Sequence, residues 1–257
     1  MPKKNITYYE ITGEGQPLLF IHGLGSSTRD WEEQVPFFSK NYKVITLDLR
    51  GHGKSDKPED QYTMEVFAKD AADLLKSLEL GPTHIVGLSL GGAVAFEFAI
   101  KYPELTKTMT IVNSGPGISM DSFKMKFEFF KRTTIVKLVG MKKMGQVLST
   151  KLFIKPEQQE MREKMVRRWG ENDKKAYLNA FRSFKGWDVN DLLHTIKCPS
   201  LIIGSDEDYS PNSLKIEYTK LLPNGKFVEI EDARHALPIE KPDEFNSVLM
   251  EFLSNNS

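Results

Sequence analysis

The sequence predicts an α/β fold, a doubly wound and mostly parallel sheet that carries a helical insertion late in the chain. Three observations predict it. Short apolar runs recur along the 257 residues, separated by segments of helical periodicity. Most of these runs are continuous rather than alternating, as befits strands buried on both faces of a parallel sheet. One stretch, residues 118–187, abandons the alternation and shows helical patterns alone.

In chain order the strand candidates are "ITYYEIT", "PLLFIHG", "YKVITLDL", "THIVGLS", "KTMTIVNS", "PSLIIGS" and "GKFVEIE". Between the third and fourth, Met64, Ala68, Ala71, Leu75 and Leu78 form a helical stripe after Thr63, whose hydroxyl suits an N-cap. After the last strand, Phe245, Val248, Leu249 and Phe252 repeat the stripe, with Pro242 placed for the first helical turn. Strand and helix in alternation are the mark of a doubly wound sheet. The chain thus divides into a core, 1–117 and 188–257, and an insertion, 118–187.

The insertion repeats helical stripes: Phe123, Phe127 and Phe130, then Met161, Met165 and Trp169, then Tyr177, Ala180, Phe181 and Phe184. It holds 17 Lys and Arg against seven Asp and Glu, a charge of +10, so the rest of this neutral chain carries −10. Seven of the 16 Phe and six of the ten Met lie in it. A basic, Met- and Phe-rich helical segment between two strands reads as a lid over a site at the strand ends. A solvated helical subdomain packed on the core accounts for the same composition.

With 35 basic and 35 acidic residues, bulk charge gives no reason to propose a nucleic-acid partner. The N-terminal "MPKKNITYYEITGEG" lacks an apolar h-region, and no 18-residue apolar run occurs, so the expectation is a cytoplasmic protein. Contact of the basic insertion with a membrane surface is a secondary expectation. The single cysteine, Cys198, reads as a buried structural thiol. No Cys/His cluster has metal-ligand spacing and no phosphate-cradling loop is present, so neither metal nor organic cofactor is expected.

The chemistry gathers around "HIVGLSLGGAV". Gly87-Leu88-Ser89-Leu90-Gly91 matches G-x-S-x-G, a sharp turn between strand and helix that lifts a nucleophilic hydroxyl above the sheet edge. Here it stands between an apolar strand and a small-residue helix start. On these residues the chain resembles the α/β-hydrolase superfamily, of the lid-bearing serine esterase type, over roughly residues 5–117 and 188–253. The resemblance extends to "LLFIHGLGSS", where the loop after His22-Gly23 implies an oxyanion hole made by the backbone N–H groups of Leu24 and Leu90. It extends also to "DLRGHGKSDKP", whose Arg50, His52 and Ser55 are structural in that family.

Of five histidines, His22, His52, His84 and His194 sit in loops, a strand and a short helix where a structural role is expected. His235, between the last strand and the last helix, occupies the position of the family's general base, although Arg234 replaces the usual Gly before it. The acid lies in "GSDEDYSP". Counting from Gly204 or from Pro211 gives Glu207, counting from Pro199 gives Asp208, and Asp206 adjoins both. Asp208 is the favoured reading. The resemblance therefore implies a hydrolase of small-molecule carboxylic esters that uses Ser89, His235 and Asp208. Thioesterase, lactonase and acyltransferase chemistry share that logic, and a ligand-sensing signalling protein of the same fold is the rival from another class.

Overall fold

The computed structural model describes residues 6–59, 62–118 and 123–256. The chain opens with β1 (Tyr9–Thr12), β2 (Gln16–Ile21), α1 (Gln34–Phe38) and β3 (Tyr42–Leu47), then α2 (Met64–Ser77), β4 (Thr83–Leu88), α3 (Leu90–Lys101) and β5 (Thr106–Val112). Among the described residues, four helices follow without a strand: α4 (Phe123–Leu138), α5 (Met141–Leu152), α6 (Gln159–Gly170) and α7 (Lys174–Arg182). The chain closes with β6 (Ser200–Ser205), α8 (Asn212–Thr219), β7 (Gly225–Ile230), α9 (Leu237–Glu240) and α10 (Pro242–Ser254). The strands form one seven-stranded sheet in the order β1-β3-β2-β4-β5-β6-β7. Only the β1–β3 pair is antiparallel, and β1 is an exposed edge.

The continuous apolar runs have a simple origin. Leu19, Ile21, Ile45 and Ile85 enter one core with α2 and α3, while Leu18, Phe20, Val44 and Val86 enter a second with α1 and α10. Along β2, β3 and β4 the side chains alternate, but both faces are covered. The capping signals act as read: Thr63 Oγ1 accepts the Val66 N–H at 3.2 Å, and Pro242 opens α10. Cys198 departs from its reading, since it is half-buried at the entry to β6, beyond the reach of full packing. Among the described residues no helix is long and apolar enough to cross a membrane.

The insertion leaves and rejoins the sheet through a narrow neck. Gly117 pairs antiparallel with Asp188, and Val189 N–H donates to Pro116 O at 2.8 Å. One stripe within it is reversed from the sequence reading. Phe123, Phe127 and Phe130 face solvent, and the inward aromatic of α4 is Phe129, stacked on Phe181 with centroids 4.1 Å apart. The Met161, Met165 and Trp169 stripe of α6 and the Tyr177 and Phe181 stripe of α7 do turn inward.

Ion pairs span from insertion to core. Lys155 meets Asp232 at 2.5 Å, Lys164 meets Glu32 at 2.6 Å, Lys175 meets Glu59 at 2.7 Å and Glu171 meets Arg29 at 2.6 Å. Arg168 also bonds Glu32.

Candidate active site

Ser89 stands between β4 and α3 with φ 54° and ψ −110°, a left-handed-side backbone that costs a non-glycine residue roughly 1–3 kcal/mol. Its surroundings enforce that turn. Ser89 N–H bonds Val112 O at 3.0 Å, and Ser114 Oγ donates to Ser89 O at 2.7 Å. Glycine is required at position 91, because a Cβ there would lie 2.0 Å from Ile21 O. The strained turn thus rests directly on β2, with the serine hydroxyl raised above the sheet.

The loop after β2 lies against the same turn, with the Gly23 Cβ position 3.7 Å from Ser89 Cβ. His22 is fully buried, and burial pulls its imidazole down to about 4, so it is neutral. Its Nε2 accepts the Leu49 N–H at 3.0 Å, which leaves the proton on Nδ1 to be donated to Gly23 O at 2.7 Å. In a trans peptide the C=O and the following N–H point oppositely. Holding Gly23 O toward His22 therefore turns the Leu24 N–H away from it. Asp30 fixes the other side of the loop, accepting from Gly23 N–H at 3.3 Å and from the Ser26 hydroxyl. Burial pushes the Asp30 carboxyl up to about 6 against the pull of those bonds. Among the described residues, neither Leu24 N–H nor Leu90 N–H has a protein acceptor.

The second loop of the family resemblance is structural. Arg50 forks onto Asp70 at 2.5 and 2.6 Å, and Ser55 Oγ accepts Tyr8 N–H at 2.8 Å and donates to Asp48 O. His52 is buried against His22, its imidazole pulled down to about 3 by burial and by His22.

His235 reaches both partners. Its Nε2 lies 2.8 Å from Ser89 Oγ and its Nδ1 lies 2.6 Å from Asp208 Oδ1. The carboxylate is Asp208, 1% exposed, and not its neighbours. Glu207 pairs outward with Arg234 at 2.9 Å, while Asp206 caps the His loop by accepting Ala233 N–H at 3.1 Å. The His235 loop is itself tied to the sheet by Asn113 at the end of β5, whose Nδ2 donates to Ser205 Oγ at 2.7 Å and to Arg234 O at 3.0 Å. Arg234, the departure from the family pattern, reaches Lys151 O in the insertion at 2.9 Å.

Lys215 was invisible to sequence reading, because lysine on a helix reads as surface. It is 1% exposed, and its Nζ meets the second Asp208 oxygen at 2.8 Å while also donating to Ser210 O and Asn212 Oδ1. Burial drives the Asp208 carboxyl up, but the bonds and charges of His235 and Lys215 outweigh it and hold the group well below the usual carboxylate range. The result is a line of alternating charge capacity, buried at Lys215 and Asp208 and open to the cavity at His235 and Ser89. Tyr209 stacks on the imidazole with centroids 4.4 Å apart.

Ser89 and His235 open into a cavity of about 1420 Å³ between the strand ends and the insertion. Phe129, Met144, Met161 and Met165 give it apolar walls. Asn172 Nδ2 binds Gly25 O at 2.8 Å, tying the turn between α6 and α7 to the loop after β2. Among the described residues no cluster of His, Cys, Asp and Glu has the form of a metal site. A cavity lined by a hydroxyl, an imidazole and, behind them, a buried carboxylate in hydrogen-bonded sequence can perform acyl transfer.

The family described as alpha/beta hydrolase fold matches residues 16–242. The (E)-2-((N-methylformamido)methylene)succinate hydrolase of Acinetobacter baylyi is 29% identical, over 96% of this chain and 93% of its own. The 3-oxoadipate enol-lactonase 1 of the same organism is 27% identical over 93% and 88%. Among solved structures, a thermophilic esterase from Thermogutta terrifontis with malate bound superimposes with a TM-score of 0.90 at 28% identity, over 99% of this chain and 95% of that one.

Proposed function

The chain belongs to the α/β-hydrolase fold family, and from that premise we propose that it is a serine hydrolase cleaving carboxylic esters through an acyl-enzyme. One observation carries the reading: Ser89 Oγ, His235 and the buried Asp208 form an unbroken hydrogen-bonded chain, at 2.8 and 2.6 Å, beside a large, mostly apolar cavity that Ser89 and His235 line. Ser89 Oγ attacks the acyl carbon as His235 Nε2 takes its proton, and Asp208 stabilises the imidazolium. Leu24 and Leu90 N–H receive the developing oxyanion, each such donor contributing on the order of 3 kcal/mol. The imidazolium then protonates the departing alcohol. Water, deprotonated by the same imidazole, hydrolyses the acyl-enzyme to the free acid and restores Ser89.

The insertion serves as the lid in this scheme, excluding water and shaping specificity. A cyclic ester enters the same scheme, and the likeness to an enol-lactonase supports that substrate form. The names of both curated relatives denote derivatives of dicarboxylic acids, which supports a small, polar acyl group.

A fluorophosphonate probe tests the reading. It adds one label to the wild type, none to Ser89→Ala, and one to Ser55→Ala, whose hydroxyl belongs to the loop after β3. Labelling that survives Ser89→Ala overturns it. A chain-length series of aryl esters then ranks the acyl group.

A further inference from the structure

The insertion's positive charge is spent unevenly. At the cavity mouth, Lys164 and Arg168 are taken up by Glu32, and Arg29 by Glu171. Arg132, on α4, differs from all of them. It lines the cavity that Ser89 opens into, and among the described residues it has no carboxylate partner. Its Nε donates to Tyr177 Oη at 2.6 Å, and its guanidinium lies 4.7, 5.6 and 5.9 Å from the ring centroids of Phe181, Tyr177 and Trp169.

That aromatic cage stands on the loop proposed to form the oxyanion hole. A Cβ at Gly25 would lie 3.0 Å from Tyr177 and 3.1 Å from Trp169. Arg132 and Ser89 line the same cavity, so one small ligand can lie against both. Its charge also reaches Tyr209, the ring stacked on His235.

Three faces of rings stabilise a cation but leave a planar fork with N–H donors unmatched. With Nε engaged by Tyr177, the terminal N–H donors of the guanidinium remain for a carboxylate in this mostly apolar cavity. We infer that Arg132 is the specificity-determining residue for a free carboxylate on the substrate, so that the cavity takes short half-esters or lactones of dicarboxylic acids in preference to their neutral counterparts. The inference rests on the hydrolase reading, and it narrows the insertion's charge to one side chain.

The test measures binding apart from turnover. In Ser89→Ala protein, calorimetry compares monoethyl adipate with the neutral diethyl adipate, and repeats the pair with Arg132→Met added. Arg132 predicts at least tenfold tighter binding of the half-ester, and loss of that preference in the double variant. Equal weakening of both ligands makes Arg132 a buttress for the aromatic cage and overturns the proposal. So does the absence of a half-ester preference in the Ser89→Ala protein, a result that needs no variant at position 132 to fold. A preference that stands while the wild type neither labels nor turns over would instead remove the hydrolase reading and leave the subsite.

Discussion

At Asp208 the choice among three adjacent carboxylates becomes a matter of direction. Only its side chain turns inward to His235, while Glu207 and Asp206 are engaged elsewhere on the loop. Asp208→Asn should therefore lower kcat by about 10⁴, the cost of losing the same group in a well-studied triad. Asp206→Asn and Glu207→Gln should stay within a few fold. A collapse in Glu207→Gln with Asp208→Asn near wild type would reassign the acid. Lys215 gives a second prediction. Replacing it by Met removes a charge and a hydrogen bond that hold the Asp208 carboxyl down against burial, so that carboxyl rises and takes its proton at higher pH. The acid limb of the kcat/KM profile should move to higher pH, with the half-ester preference unchanged. An unmoved limb would make Lys215 a packing residue.

Among the elements, the strands were legible because burial on two faces leaves an unmistakable apolar run, and the turn at Ser89 because only glycine fits beside it. Both signals are local. The reversed α4 stripe shows where that locality fails. Phe123, Phe127 and Phe130 satisfy helical spacing whether their face meets the core or the solvent, and the partner that decides, Phe181, lies 52 residues from Phe129. Lys215 and Arg132 escaped for a related reason. A lysine or arginine announces its charge but not the carboxylate or rings it will meet, and those come from distant segments. The net charge of the insertion was legible, while its use was not. Among the described residues four of the insertion's 17 basic side chains, Lys155, Lys164, Arg168 and Lys175, are matched against the core acids Asp232, Glu32 and Glu59. Exposed pairs of this kind are individually weak and are screened by salt. Raising ionic strength from about 0.05 to 0.5 M should speed amide hydrogen exchange in α6 and α7 while β4 and β5 stay protected. Equal protection at both salts would show that apolar packing alone seats the insertion.

For the molecule as a whole, stability and the site meet at Asp30. Its carboxyl is pushed up to about 6 in the folded chain, above the ordinary value of an unfolded one. The folded state thus binds the proton first, and the cost of the buried charge is present above pH 6 and relieved as pH falls toward 4. Relative to Asp30→Asn, the wild type should gain up to about 3 kcal/mol between pH 7 and pH 4, at about 1.4 kcal/mol per unit. Urea unfolding at several pH values measures this difference, and parallel curves for the two proteins would refute it.

The bridge between Gly117 and Asp188 has a consequence for how such a chain can change over time. Because the two ends of the insertion are already clasped together by that isolated bridge and the Val189–Pro116 bond beside it, the core bears almost none of the entropic burden of whatever is strung between them. Each doubling of the strung length adds only about 0.6 kcal/mol. The segment is therefore a cassette: transplanted from a relative, or trimmed to a short hairpin, it should alter what the chamber accepts while the strand order beneath it is inherited intact.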